Sequence, residues 1–236
     1  MEKTDKMTEL EAKLGLDFIN KNLLKEALVH RSYINEHPSF ALAHNERLEF
    51  LGDAVLELVV TEYLFKNYPN PEGELTNWRA ALVNAKMLSD TAHEFELYDY
   101  LYLSRGESKD NNAKAKNYIL ANAFEAVIGA IYLDRGFKAI QKFISDKLLV
   151  KLDYILEHQL YLDAKSHFQE ITQEKVGITP NYKVLEESGP DHNKKFVIGA
   201  YLGEELVAKG EGTSKQEAQM SAAENALIQW ENDGKI

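Results

Sequence analysis

The chain contains no cysteine among its 236 residues. Disulfide bonds, thiolate zinc sites and cysteine nucleophiles are therefore excluded. Its seven histidines include no HExxH motif and no close pair at ligand spacing, so nothing points to a zinc protease. No apolar run reaches membrane-spanning length, and the N-terminal MEKTDKMTEL lacks a hydrophobic signal core. We therefore expect a cytoplasmic protein with no membrane partner.

Positive charge is also scarce. The chain has 27 Lys and Arg against 38 Asp and Glu, for a net charge of −11. Residues 1–162 carry 19 basic and 25 acidic side chains, and residues 163–236 carry 8 and 13. Neither part has the basic excess that phosphate-binding proteins usually show. Any RNA binding must therefore depend on a few well-placed lysines.

The hydrophobic pattern divides the chain into two domains. The first, residues 1–158, is predicted to be mainly α-helical, with helices near 8–14, 21–30, 45–67, 74–96, 116–134 and 137–158. A linker at 159–162 is expected to lead into a small α+β domain at 163–232. Its predicted order is α-β-β-β-α, with strands near 182–185, 196–202 and 206–209 and Asp163 and Ser214 as helix caps.

Three carboxylates share one face of the predicted helix in NERLEFLGDAVLELVV, residues 45–60. Glu46, Glu49 and Asp53 stand at i, i+3 and i+7, so they line up along the helix. Partly desolvated carboxylates at this spacing need compensation, most simply from a cation. The alternative is the solvated edge of an amphipathic helix. The opposite face is expected to pack into a core through Leu48, Leu51, Val55 and Leu58.

A second apolar helix is predicted over residues 119–136. Its two polar exceptions, Asn122 and Glu125, are three residues apart and share a face. Two buried helices that each turn oxygen ligands inward can form one metal site where they cross. Oxygen ligands without cysteine favour Mg²⁺, with Mn²⁺ as a substitute.

Several ordered motifs resemble bacterial ribonuclease III. NERLEFLGDAVL matches the most specific stretch of that family, and three other segments follow the family's order: HRSYINE (30–36), EGELTNWRAALVN (72–84) and YILANAFEAVIGAIYLD (118–134). The C-terminal part resembles a double-stranded-RNA-binding domain through Gln169-Glu170, GPDHNKKF (189–196) and GTSKQEAQMSAAENAL (212–227). The resemblance covers nearly the whole chain.

The resemblance implies an endoribonuclease that hydrolyses double-stranded RNA in rRNA, mRNA and small-RNA processing. Its products would carry 5′-phosphate and 3′-hydroxyl ends with short 3′ overhangs. Carried over by position, Asp53 and Glu125 would be catalytic, and the metal ligands would be Glu49, Asp53, Asn122 and Glu125, with Glu46 as a supporting acid.

The family forms homodimers through the helical domain, and Phe50 matches the aromatic side chain that plugs the partner subunit. The alternative for Phe50 is an ordinary core phenylalanine.

Asn122 departs from the family, which usually has aspartate at this position. An amide keeps one oxygen ligand but removes a charge and cannot act as a base, so weaker metal binding is expected. The alternative function is therefore a double-stranded-RNA-binding dimer with weak or no cleavage. A helical metal phosphohydrolase for nucleotides would need histidine ligands that the sequence lacks.

The second domain also departs from its family. The last helix usually begins with paired lysines, whereas this chain has Lys215-Gln216. The resemblance implies RNA contacts from the first helix, the first hairpin loop and the start of the last helix: Gln169, Glu170, His192, Lys194, Lys195, Lys215, Gln216 and Gln219. A solvated turn is the alternative for Lys194 and Lys195, and a plain surface position for His192.

Overall fold

The structure is a computed structural model that describes residues 6–110, 112–190 and 194–235. The chain divides into two compact units, Met1–Tyr161 and Leu162–Ile236. The first is helical, and the second pairs an antiparallel three-stranded sheet with two helices. The predicted fold class is confirmed.

Helices make up nearly all of the first unit's regular structure. They are α1 (Lys6–Leu14), α2 (Lys21–Ala27), α3 (Arg31–Glu36), α4 (Glu46–Asn67), α5 (Glu72–Val83), α6 (Ala85–Glu94), α7 (Arg105–Lys109), α8 (Ala113–Arg135), α9 (Phe137–Lys147) and α10 (Leu152–Glu157). Two 3₁₀ turns, Leu97–Tyr100 and Leu149–Lys151, join neighbouring helices.

Some predicted helices are interrupted by local capping. The single helix expected over 74–96 is two helices, because the side chain of Asn84 accepts a hydrogen bond from Met87 N (2.9 Å) and begins α6. Ser104 similarly caps α7, a short helix in the stretch between the helices predicted at 74–96 and 116–134, by accepting from Glu107 N at 3.2 Å. The helix expected over 137–158 is broken by the 3₁₀ turn after α9.

The core of the first unit forms around α4 and α8, which pack along each other. Phe124 of α8 is buried together with Phe95 and Phe143, with ring centroids 6.1 Å apart in each pairing. Leu48 and Val55 are buried as expected, but Leu58 is 57% exposed, so its assignment to the core was wrong. Leu58 lies on an exposed apolar side of α4 together with Phe50 and Phe65.

The second unit consists of α11 (Ala164–Val176), β1 (Asn181–Ser188), β2 (Lys195–Leu202), β3 (Glu205–Gly212) and α12 (Lys215–Asn232). The strands are antiparallel in the order β1-β2-β3, with Lys183 opposite Gly199 and Ala200 opposite Ala208. Both helices pack with the sheet around a buried core that includes Phe168, Ile198 and Trp230.

Across the described ranges of the chain, no helix is both long and apolar enough to cross a membrane.

Candidate active site and RNA-binding surface

The crossing of α4 and α8 is a backbone-to-backbone contact between two glycines and the facing helix. A Cβ at Gly52 would lie 1.8 Å from the carbonyl oxygen of Glu125, and one at Gly129 would lie 2.3 Å from that of Leu48. Neither position has room for a side chain. This approach brings Glu49 and Asp53, on either side of Gly52, toward Glu125.

Glu125 carries the clearest electrostatic signature of the crossing. Burial, followed by the charges of Asp53, Glu49 and Glu57, raises its pKa to about 8. The pKa of Glu49 is also raised, first by burial and then by Glu46 and Asp53. Among the described residues, no hydrogen bond or ion pair reaches the carboxyl groups of Glu49, Asp53 or Glu125. Their repulsion is therefore uncompensated.

The donor set suits a hard divalent cation, although the carboxylates are not closely gathered. Within the part of the chain that the structure describes, no three His, Cys, Asp or Glu side chains form a group that could hold a metal. Asn122, exposed on α8 one turn before Glu125, adds an amide oxygen to that set. Mg²⁺ and Mn²⁺ prefer oxygen ligands, and either ion would offset the carboxylate repulsion.

The row of carboxylates on α4 has basic side chains at its two ends. Glu46 is exposed and lies 3.4 Å from Arg31 Nη1 and 3.8 Å from His44 Nδ1. Glu57, which was not predicted, continues the row by one turn and lies 2.9 Å from Arg79 Nε. The middle of the row is therefore the part without a partner. Extending the i, i+3, i+7 spacing to i+11 would have identified Glu57, but Arg79 comes from α5 and has no periodic signal.

Phe50 points away from the core. Its side chain is 80% exposed on α4, which rules out the alternative of an ordinary core phenylalanine. Further along the same helix is a cavity of about 450 Å³, lined in part by Leu64, Phe65, Leu75 and Arg79. The first unit therefore presents both an exposed aromatic ring and an apolar cavity.

The predicted RNA-binding residues occupy three places in the second unit. Gln169 and Glu170 are exposed on α11, Lys195 is exposed at the start of β2, and Lys215 and Gln216 are exposed at the start of α12. A cavity of about 510 Å³ has both Gln169 and Gln216 in its lining. His192 lies outside the described residues.

Other side chains predicted to contact RNA are engaged within the unit. Lys194 Nζ lies 2.9 Å from a carboxylate oxygen of Glu187. Lys165, which was not predicted, donates from Nζ to the amide oxygen of Gln219 at 2.9 Å. The Lys215 ammonium lies 5.7 Å from the centroid of the Phe196 ring. Lys215 nevertheless remains exposed, as does Lys195.

Known families and structures match this architecture. Residues 20–152 match the family described as Ribonuclease-III-like, and residues 164–229 match the Double-stranded RNA binding motif. A Ribonuclease 3 of a Nitratiruptor species is 46% identical, covering 94% of this chain and 95% of its own. Ribonuclease 3 of Borreliella burgdorferi is 43% identical, covering 98% and 94%.

A solved nuclease domain of ribonuclease III from Campylobacter jejuni is 41% identical, with a TM-score of 0.55, and the match covers 64% of this chain and 97% of that one. A second structure of that domain, 42% identical with a TM-score of 0.55 and covering 62% and 96%, was described for structural flexibility in a region involved in dimer formation.

The fold and the site define a helical nuclease domain followed by a double-stranded-RNA-binding domain. The chain belongs to the ribonuclease III family. Relatives of this length and similarity are named as ribonucleases in many bacteria, which supports an endoribonuclease acting on double-stranded RNA. The alternative of a binding protein that does not cut is not favoured.

Proposed function

We propose that the protein is a Mg²⁺-dependent, homodimeric endonuclease that cleaves double-stranded RNA to 5′-phosphate and 3′-hydroxyl ends. The observation that carries this proposal is the uncompensated carboxylate group where α4 crosses α8. Glu125 is half-buried beside two other acids, and its pKa of about 8 shows that ionising it is unfavourable. Carboxyl groups in such surroundings cluster at functional sites.

Glu49, Asp53, Asn122 and Glu125 would hold the cation, with Glu46 as a supporting acid. When bound, the ion would lower the pKa of a ligated water and offset charge developing on the phosphate. Because the pKa of Glu125 is raised to about 8, its carboxyl carries a proton in neutral solution when no cation is present. Loss of that proton makes both carboxylate oxygens available as ligands. The neutral amide of Asn122 can supply an oxygen but accepts no proton.

The second unit would hold the duplex. The N-terminus of α12 presents backbone N–H groups and the positive end of the helix dipole to phosphate, and Lys215 lies in its first turn. Gln169 and Glu170 on α11 would meet 2′-hydroxyl groups in the minor groove. With few exposed lysines, this surface would recognise the shape of the duplex more than its charge.

Dimer formation would bury the exposed apolar side of α4. Phe50 and Phe65 are 80% and 78% exposed, and Leu58 is 57% exposed. Large apolar side chains left exposed on one side of a helix often mark an interface. The cavity of about 450 Å³ near Phe65 could receive Phe50 of a second copy.

Substitution of Glu125 tests the proposal. Glu125→Ala should abolish cleavage of a long RNA duplex with Mg²⁺ while leaving duplex binding within a few-fold, because the RNA-binding unit is separate. Asp90→Ala, which removes an exposed carboxylate from α6, serves as the control and should cut normally. If Glu125→Ala cuts at the parental rate, the site is assigned wrongly. If the parent itself binds duplex without cutting it at any Mg²⁺ concentration, the binding-only alternative is correct.

A further inference from the structure

We infer that the first unit has a nucleotide-binding pocket, separate from the carboxylate row, between α2, α3 and the loop that leads into α4. The cavity has a volume of about 420 Å³, within the range of small-molecule sites of roughly 300–1,000 Å³. Its lining combines aromatic rings, one cation and hydrogen-bonding side chains: Asn22, Lys25, Tyr33, His37, Ser39 and Phe40.

The aromatic wall is built from α3 and the following loop. The Tyr33 ring centroid lies 4.3 Å from that of His37 and 5.3 Å from that of Phe40. Tyr33 and Phe40 meet edge to face, with an angle of 87° between their planes. Contacts within the cluster hold the rings in place before any ligand arrives. A planar base can stack on such a wall without requiring a particular sequence.

Lys25 supplies the positive charge of the pocket. Its ammonium lies 5.3 Å from the centroid of the Phe40 ring and 5.8 Å from that of Tyr102. No carboxylate of the described residues forms an ion pair with it. Cation–π contacts orient the ammonium but leave its charge unneutralised. A phosphate group is the partner that this lysine lacks.

The combination selects a ligand that joins an aromatic ring to an anion. A quaternary ammonium or another cation would be repelled, because Lys25 already faces the ring surfaces. A small inorganic anion would leave the aromatic wall unused. A nucleoside monophosphate uses both features, and Asn22, three residues before Lys25 on the same side of α2, can donate to and accept from a base edge.

The pocket lies close to the start of the carboxylate helix. Asn45, the residue before α4, donates from its side chain to Ala27 O at 3.3 Å and from its backbone to Val29 O at 2.8 Å. These bonds join the end of α2 to the helix that carries Glu46 and Glu49. The nucleotide is either free in solution or the terminal nucleotide of an RNA strand. Binding of a strand end rests on the proposed function.

Equilibrium dialysis of the full chain in EDTA tests the pocket, using adenosine 5′-monophosphate, adenosine and inorganic phosphate as separate probes. The parent should bind the monophosphate saturably and more tightly than either fragment. Lys25→Gln should weaken it about tenfold or more, as expected for losing a charge-assisted contact. Phe40→Leu should weaken adenosine and the monophosphate alike. Lys138→Gln on α9 removes an exposed lysine elsewhere and should change nothing.

Short blunt RNA duplexes with 5′-phosphate or 5′-hydroxyl ends distinguish the two sources. A preference for phosphate ends that disappears in Lys25→Gln identifies a strand end, whereas monophosphate binding without such a preference identifies a free nucleotide. Thermal melting checks that each variant is folded. The proposal is overturned if the parent retains no monophosphate, if phosphate alone binds as tightly, or if folded Lys25→Gln binds like the parent. Cleavage of a long duplex by the parent is scored separately, so failure of the pocket is distinct from failure of the nuclease proposal.

Discussion

The close contact between Gly52 and the backbone of Glu125 predicts that adding one methyl group at position 52 would force α4 and α8 apart. Gly52→Ala would place a Cβ 1.8 Å from the Glu125 carbonyl oxygen, whereas ordinary contact begins at 3.4 Å. The shortfall is about 1.6 Å, and both groups belong to the backbones of long helices. No side-chain rotation can relieve it, so α4 and α8 must move apart.

The expected loss of stability follows from two opposing effects. Overpacking a core usually costs about 1–3 kcal/mol, and a backbone-to-backbone clash belongs at or above the upper end of that range. Replacing glycine by alanine within a helix stabilises the folded state by about 1 kcal/mol through helix propensity. We therefore expect a net loss of at least about 2 kcal/mol. For a protein of this size, that lowers the melting temperature by roughly 4–8 °C.

Gly73→Ala is the matched control. Gly73 also lies in a helix, α5, but a Cβ there would have no atom within 4 Å. We expect this variant to melt at or slightly above the parental temperature. Calorimetry should report both melting temperatures, and a duplex cleavage assay should show a fall for Gly52→Ala on the order of 10²-fold, because displacement by 1 Å can cost that much. Melting of Gly52→Ala within about 1 °C of the parent would refute the close crossing.

Four further predictions concern charge and assembly. First, folding raises the pKa of Glu125 to about 8. Without divalent cations, the contribution of this group to the free energy of unfolding is therefore greatest below pH 4.5 and is lost as pH rises through 8. Glu125→Gln should therefore reduce the loss of unfolding free energy at high pH by about 1–2 kcal/mol, after discounting for solvent screening. Urea midpoints that shift equally between pH 6 and pH 9 in the parent and in Glu125→Gln would contradict this. Second, Asn122→Asp should lower the Mg²⁺ concentration for half-maximal cleavage by one to two orders of magnitude, roughly 1.4–2.8 kcal/mol, and an unchanged titration would place this position outside the metal site. Third, Phe50→Ala should weaken self-association in sedimentation equilibrium, with Ile19→Ala as an exposed apolar control elsewhere in the unit; equal association of both variants would exclude Phe50 from the interface. Fourth, Lys215→Ala should reduce the slope of log K against log salt for duplex binding by about one, and an unaltered slope would mean that it contacts no phosphate.

Periodicity located most of the elements that form the site, because α4 and α8 are long and apolar on their packed faces. The acids on α4, together with Asn122 and Glu125 on α8, predicted a crossing with oxygen ligands. What periodicity could not provide was the distance between the helices, which depends on Gly52 and Gly129 facing each other's backbones. A glycine in a sequence looks the same whether it opens a turn or admits a neighbouring helix.

Side-chain hydrogen bonds account for two of the helix starts that periodicity missed. Asn84 and Ser104 begin helices by accepting a hydrogen bond from the backbone N–H three residues ahead. Each capping bond depends on a single side chain, so the spacing of the hydrophobic residues gives no sign of it. The wrong assignment of Leu58 has a different cause. Its spacing matched that of the buried leucines, but that part of α4 has no covering element within the described residues of the unit.

Basic side chains approach the two ends of the carboxylate row on α4 and leave its negative charge uncompensated in the middle. Arg31 and His44 approach Glu46 at one end of the row, and Arg79 pairs with Glu57 at the other. These pairs are partly exposed, so each contributes little to stability. Their effect is on position, because they fix the outer carboxylates and leave the middle of the row without a positive neighbour. A cation arriving from solution would therefore find its most favourable place in the middle of the row, where burial penalises the charges of Glu49 and Glu125. Removing Arg79 would free Glu57 and spread the negative charge along the helix, which would make the middle of the row a less selective place for the ion.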